Sequence, residues 1–196
     1  MCAMFQVRIH GRGGQGVVTA AEMLSVAAFL DGSWSQAFPS FGSERTGAPV
    51  VSYCRIDDRE IRTRAPVDEP DALIVQDATL VHHVDLFSGV APAGFVLVNT
   101  SHTVEELGLE DLVARFRRER LLTVPASEIA LRHVGRNVPN TVLLAAFAVA
   151  TGVVSLDAVV AAIRQRFEPE VAERNARAAA EAGDYVREAQ GARATA

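Results

Sequence analysis

Apolar and polar residues alternate at the start of the chain, where Phe5, Val7 and Ile9 interleave with Gln6, Arg8 and His10, the period-two pattern of a strand. After a glycine-rich stretch the period changes. Val17, Ala21, Leu24 and Ala28 recur at helical spacing, and the run stops at Asp31-Gly32. Apolar runs at 34–38, interrupted by Pro39, and at 50–56 predict two further strands. Residues 40–49 between them hold Gly42, Gly47 and the charged pair Glu44-Arg45, and are expected to form a loop. Residues 57–70 are charged, contain Pro66 and Pro70, and predict an irregular excursion. The compact runs at 72–75 and 95–98, which lead into Asp77 and Asn99, suit parallel strands buried on both faces. Thr103 and Glu106 fit a capping box that would open a helix running through Ala114 and Phe116, and residues 121–124 predict one more strand.

From Asn140 onward the pattern is helical, at 141–150, 156–167 and from 170 to about 189. In the middle segment Leu156, Val159, Ile163 and Phe167 share a face, with Ser155 placed as its N-cap. The expected architecture is α/β: a Rossmann-like, mainly parallel open sheet with a helical C-terminal portion. It would form a single domain over 1–196, with the sheet in 1–135, helices over 136–190 and a frayed tail at 191–196. The longest apolar stretch, 142–150, falls short of the roughly 20 residues that cross a bilayer, so no membrane span is expected.

Composition narrows the chemistry. A net charge of −5 offers no basic field for nucleic acid or an anionic membrane. Every basic residue is arginine, which removes Schiff-base chemistry and the lysine of a P-loop. Two cysteines, Cys2 and Cys54, cannot complete the four-cysteine ligation of an iron–sulfur cluster. The N-terminus lacks the pattern of a secretion signal, so a cytoplasmic location with reduced thiols is expected. His82-His83 reads as a structural or solvated pair rather than a metal site, because adjacent residues on a helix point in different directions.

The candidate chemistry lies in two loops. Gly11-x-Gly13-x-x-Gly16 follows a strand and opens a helix, so Arg12, Gly13, Gly14, Gln15 and Gly16 could present backbone and side-chain donors to a phosphate. A dinucleotide site also calls for an acid at the end of the second strand, where Phe38-Pro39-Ser40 has none, and this disfavours bound NAD or FAD. The second loop follows that strand. Topology would set its residues Ser43, Glu44, Arg45, Thr46 and Gly47 beside the glycine turn, at the carboxyl edge where α/β proteins bind ligands.

The segments GRGGQGVVTAAEML at 11–24 and QAFPSFGSERTGAPVVSYCRI at 36–56, in this order and spacing, resemble the gamma subunit of pyruvate and related 2-oxoacid:ferredoxin oxidoreductases. DALIVQD at 71–77 and FVLVN at 95–99 are compatible with it. The resemblance implies oxidative decarboxylation of a 2-oxoacid with coenzyme A, giving acyl-CoA, CO₂ and electrons for ferredoxin or another acceptor. It implies alpha, beta and delta-type partner subunits carrying thiamine diphosphate, Mg²⁺ and [4Fe-4S] clusters. This chain would bind no cofactor alone, have no catalytic or metal-ligating residue, and share a coenzyme A site through its two loops. Two other classes compete: a stand-alone nucleotide- or phosphate-binding adaptor, and a self-sufficient NAD dehydrogenase. Brown iron–sulfur partners on co-purification would separate the subunit from the adaptor.

Overall fold

A computed structural model of the chain describes residues 4–40 and 47–194. Six strands form one sheet in the order β2-β3-β1-β4-β5-β6, comprising β1 Phe5–Arg12, β2 Trp34–Pro39, β3 Pro49–Asp57, β4 Ala72–Val75, β5 Phe95–Asn99 and β6 Leu121–Val124. β1, β4, β5 and β6 pair in parallel, whereas β3 runs antiparallel to both β1 and β2. The mainly parallel α/β expectation holds, with one refinement. Helix α1 (Val17–Leu30) connects β1 to a β2 of the same direction, but β3 is wedged between them. That insertion brings both ends of the second loop back toward the end of β1.

The pleat sends Val7 and Ile9 into the main core, against α1 and the C-terminal helices. These are α3 (Ala126–Val134), α4 (Asn140–Thr151), α5 (Leu156–Arg166) and α6 (Pro169–Ala194). Helix α4 is buried at every position from Asn140 to Ala148, which explains its apolar character all round. Ser155 caps α5 as expected, its hydroxyl accepting from the Ala158 amide at 3.0 Å. A second, smaller core on the opposite sheet face joins Leu73, Val75, Val96 and Val98 to Leu80, Leu86, Phe87 and Val90.

Three features differ from the sequence reading. The capping box forms, with Thr103 N donating to Glu106 Oε2 at 2.7 Å and Glu106 N to Thr103 Oγ1 at 3.2 Å. Yet Gly108, at φ 68°, turns the chain away, and α2 covers only Glu110–Arg115. Helix α3 was not anticipated, and α6 continues to Ala194, beyond the expected 190 boundary. The excursion at 57–70 is irregular as expected, and two buried arginines fasten it to the sheet. Arg8 donates to the carbonyls of Val67, Leu86 and Ser88, and Arg55 to those of Ala65 and Pro66.

Candidate functional site

The glycine turn sits where β1 ends and α1 begins. Gly16 caps α1 in the left-handed region at φ 73°, and it offers no side chain to the first-turn amides of the helix. A Cβ on Gly16 would lie 2.5 Å from Asn140 Nδ2, so the turn packs directly on the start of α4. Asn140 Oδ1 accepts from Thr141 N at 2.8 Å, and Thr141 Oγ1 meets Asn175 Oδ1 at 2.8 Å. A buried polar chain thus runs from the turn through α4 to α6.

The second loop is stitched to this turn by its backbone. Gly13 N donates to Ala48 O at 2.9 Å, and Gly47 N donates to Gly13 O at 3.2 Å. At its other end, Ser40 N donates to Val51 O at 2.9 Å. The structure therefore brings Gly13 and Gly47 together at the carboxyl edge of the sheet. Ser43, Glu44, Arg45 and Thr46 lie outside the described residues.

Arg12 and Gln15 are already bonded within the chain. Arg12 Nε lies 3.2 Å from Asp77 Oδ2, and its other nitrogens donate to Gly47 O at 3.0 Å and Thr79 Oγ1 at 2.8 Å. Gln15 Oε1 accepts from Arg12 N at 2.8 Å, while Gln15 Nε2 donates to Asp77 Oδ2 at 2.8 Å. An anion approaching Arg12, Gly13 or Gln15 would compete with these bonds. The donors that remain are at Gly14, Gly16 and the first turn of α1, where the helix dipole favours negative charge.

Asp77 is the residue that the sequence did not single out for this site. It lies two residues beyond the end of β4, accepts from Thr79 N at 3.0 Å, and holds both Arg12 and Gln15. Burial pushes its carboxyl pKa up, but hydrogen bonds from Thr79 and Gln15 and the Arg12 charge outweigh that and hold it below the ordinary value. The available signal was Asp77-x-Thr79 directly after an apolar run, a side-chain turn motif. Beneath the turn, His10 is pushed down to about 4 by burial and by the Arg8 charge, so it is neutral at pH 7. Gln76 is buried beside Gly11, and neither atom of its amide has a partner among the described residues. Asn99, at the end of β5, donates to Gln76 O and Ser127 Oγ, both at 2.8 Å, and so fastens β5 to its neighbours.

Burial pushes the Cys54 thiol up to about 12, which leaves it unreactive. Among the described residues no group of three or more His, Cys, Asp or Glu side chains could hold a metal ion. No helix among them is long and apolar enough to cross a membrane.

This geometry defines an α/β domain of the glycine-turn class, with a second loop sewn onto the turn. Residues 6–185 match the family described as pyruvate ferredoxin/flavodoxin oxidoreductase. The chain is 52% identical over 161 residues to pyruvate synthase subunit PorC of Methanosarcina barkeri, covering 82% of this chain and 85% of that protein. It is 47% identical over 179 residues to the common gamma subunit of the pyruvate/ketoisovalerate oxidoreductases of Thermococcus litoralis, covering 91% and 95%. The crystal structure of pyruvate oxidoreductase subunit PORC from Thermotoga maritima superposes with a TM-score of 0.77 at 34% identity, covering 93% of this chain and 97% of that one. The chain belongs to the pyruvate ferredoxin/flavodoxin oxidoreductase family, as a gamma-type subunit.

Proposed function

We propose that this gamma-type subunit completes the coenzyme A site of a 2-oxoacid:ferredoxin oxidoreductase assembled with alpha, beta and delta-type subunits, with pyruvate as the substrate to test first. The partners would supply thiamine diphosphate with Mg²⁺ for decarboxylation and [4Fe-4S] clusters for electron transfer to ferredoxin or a further acceptor. This chain would hold the anionic end of the carrier. The observation that carries the reading is the pair of backbone bonds between Gly13 and the Gly47-Ala48 flank, which set two loops against one helix N-terminus. Gly14 and Gly16 let a phosphate approach the α1 amides closely, and the dipole of α1 adds attraction. Asp77 neutralises Arg12, so the cation for the carrier falls to Arg45 of the second loop. A charged hydrogen bond of that kind contributes about 1.5–3 kcal/mol.

The experiment is coenzyme A affinity of the assembled enzyme carrying Arg45→Ala or the charge reversal Arg45→Glu. Arg45→Ala is expected to weaken binding by roughly tenfold or more, with Arg45→Glu weaker still. If the charge reversal leaves affinity at the wild-type level, the carrier does not bind here.

A further inference from the structure

At the amino ends of the parallel strands, remote from the glycine turn, a pocket of about 210 Å³ is lined by Phe5, Asp71, Ala93, Gly94, Phe95 and Arg120. Phe5 begins β1, Asp71 precedes β4, Phe95 begins β5 and Arg120 precedes β6, so four neighbouring strands contribute. Phe5 and Arg12 are the two ends of β1, which puts the pocket roughly 23 Å from the turn. The walls are fixed before anything binds. The Phe5 ring packs on Phe147 with centroids 6.2 Å apart, and the Arg120 guanidinium lies 4.6 Å from the Phe95 centroid while donating to Ala93 O. The backbone of Asp71 is held on both sides, donating to Gln6 O and accepting from Phe95 N, each at 2.8 Å. A Cβ on Gly94 would lie 2.9 Å from Val90 Cγ1 and 3.2 Å from Asp71 O, so the turn before β5 closes tightly on the strand beside it.

We infer that this pocket binds a small free α-amino acid with a short apolar side chain, an inference independent of the coenzyme A reading above. Two opposite charges line it without pairing with one another. Asp71 accepts from Gln6 N through Oδ2 at 2.8 Å, and its Oδ1 has no partner among the described residues. Arg120 spends one side-chain nitrogen on Ala93 O, and the rest of its donor fork has no hydrogen-bond partner among the described residues. β5 separates β4 from β6, so the two charged residues stand two strand spacings apart, roughly 10 Å. A molecule that carries an ammonium and a carboxylate on one carbon bridges such a pair: the ammonium donates to Asp71, and the carboxylate accepts from the guanidinium. The rings of Phe5 and Phe95 are left for its apolar side chain. Size agrees with this class. The volume is about seven times the roughly 30 Å³ share of a water molecule and falls below the roughly 300 Å³ at which drug-sized sites begin.

The test is calorimetric titration of the full chain with L-valine and two analogues that each lack one charge: 3-methylbutanoate, without the ammonium, and isobutylamine, without the carboxylate. L-valine is expected to bind saturably at about 1 mM or tighter, and each analogue at least roughly tenfold more weakly. Two variants then assign the charges. Asp71→Asn keeps an acceptor for Gln6 N and removes the charge; it should weaken L-valine by roughly tenfold and leave 3-methylbutanoate unchanged. Arg120→Met keeps a stem over Phe95; it should weaken L-valine by a similar factor and leave isobutylamine unchanged. Circular dichroism checks that both variants fold, and if either does not, the three ligands on the wild-type chain still decide. Absence of saturable L-valine binding would overturn the inference. So would either analogue binding as tightly as L-valine, or L-valine affinity that survives both substitutions.

Discussion

At the scale of single residues, two side chains near the end of β1 titrate away from their ordinary values because of what surrounds them. Burial works against the Asp77 carboxylate, but three neighbours that donate to it or face it with positive charge hold its pKa below the ordinary value; His10 is lowered by burial and by the Arg8 charge. The His10 shift has a consequence for stability. Its folded-state pKa of about 4 lies below the unfolded value of 6.5, so the unfolded chain binds the proton first as pH falls. The stability tied to neutral His10 is complete above pH 6.5 and declines through the window down to about 4. Between pH 6.5 and 5 the loss is up to about 2 kcal/mol. Replacing His10 with Leu, which suits its neighbours Val51 and Val75, should flatten this slope. Urea unfolding at pH 7 and pH 5 measures it, and an unchanged slope in the variant would assign the pH dependence to other groups. The glycine turn between β1 and α1 was legible from the spacing of Gly11, Gly13 and Gly16, whereas the partnership of Arg12 and Gln15 with Asp77 was not. Nothing local links residues 62 or more positions apart before the sheet brings β1 and β4 together.

At the scale of elements, the strands and the long helices were readable because each carries its period within a few residues. The capping box at Thr103 was read correctly, but Gly108 ends that turn before a helix can propagate. Helix α3 has no legible period in the sequence, because only Ala126, Ile129 and Ala130 are buried in it, too few apolar positions to mark a face. The position of β3 between β1 and β2 could not be read locally, since pairing depends on long-range register. Alternation in β1 also hid a fact about its polar phase. Arg8 looks solvent-facing in sequence yet is 8% exposed, because the excursion at 57–70 and the segment at 86–88 cover that face. These irregular stretches would otherwise bury carbonyls without donors, and Arg8 supplies the hydrogens. Arg8→Met keeps the stem and removes the donors, leaving the carbonyls of Val67, Leu86 and Ser88 unsatisfied. The expected cost is about 3 kcal/mol or more in chemical denaturation. A variant as stable as wild type would mean that water satisfies those groups equally well.

At the scale of the whole molecule, the candidate site is built on a helical base rather than on the sheet alone. Gly16 rests on Asn140, Asn140 begins α4, and Thr141 bonds to Asn175 of α6. The closeness of α6 to α4 therefore sets how firmly the turn is supported. Small side chains permit that closeness: Ala172, Ala178, Ala179 and Ala182 of α6 are all buried in the main core. The run Ala178-Ala179-Ala180 contains three identical letters, so composition alone cannot say which face is inward. The structure separates them, with Ala179 fully buried and Ala180 exposed. A leucine at each position then tests the packing directly. Ala179→Leu must force helices apart or adopt a strained rotamer, and should cost about 1–3 kcal/mol. Ala180→Leu adds the same three carbons on the solvent side, and should change stability by no more than about 0.5 kcal/mol. Both keep good helix formers, so helix propensity differs little between the two variants and cannot account for a gap. Urea unfolding of the two variants decides the matter. Equal stabilities would mean that α6 docks through a different face, and the polar chain from Gly16 to Asn175 would lose its footing with it.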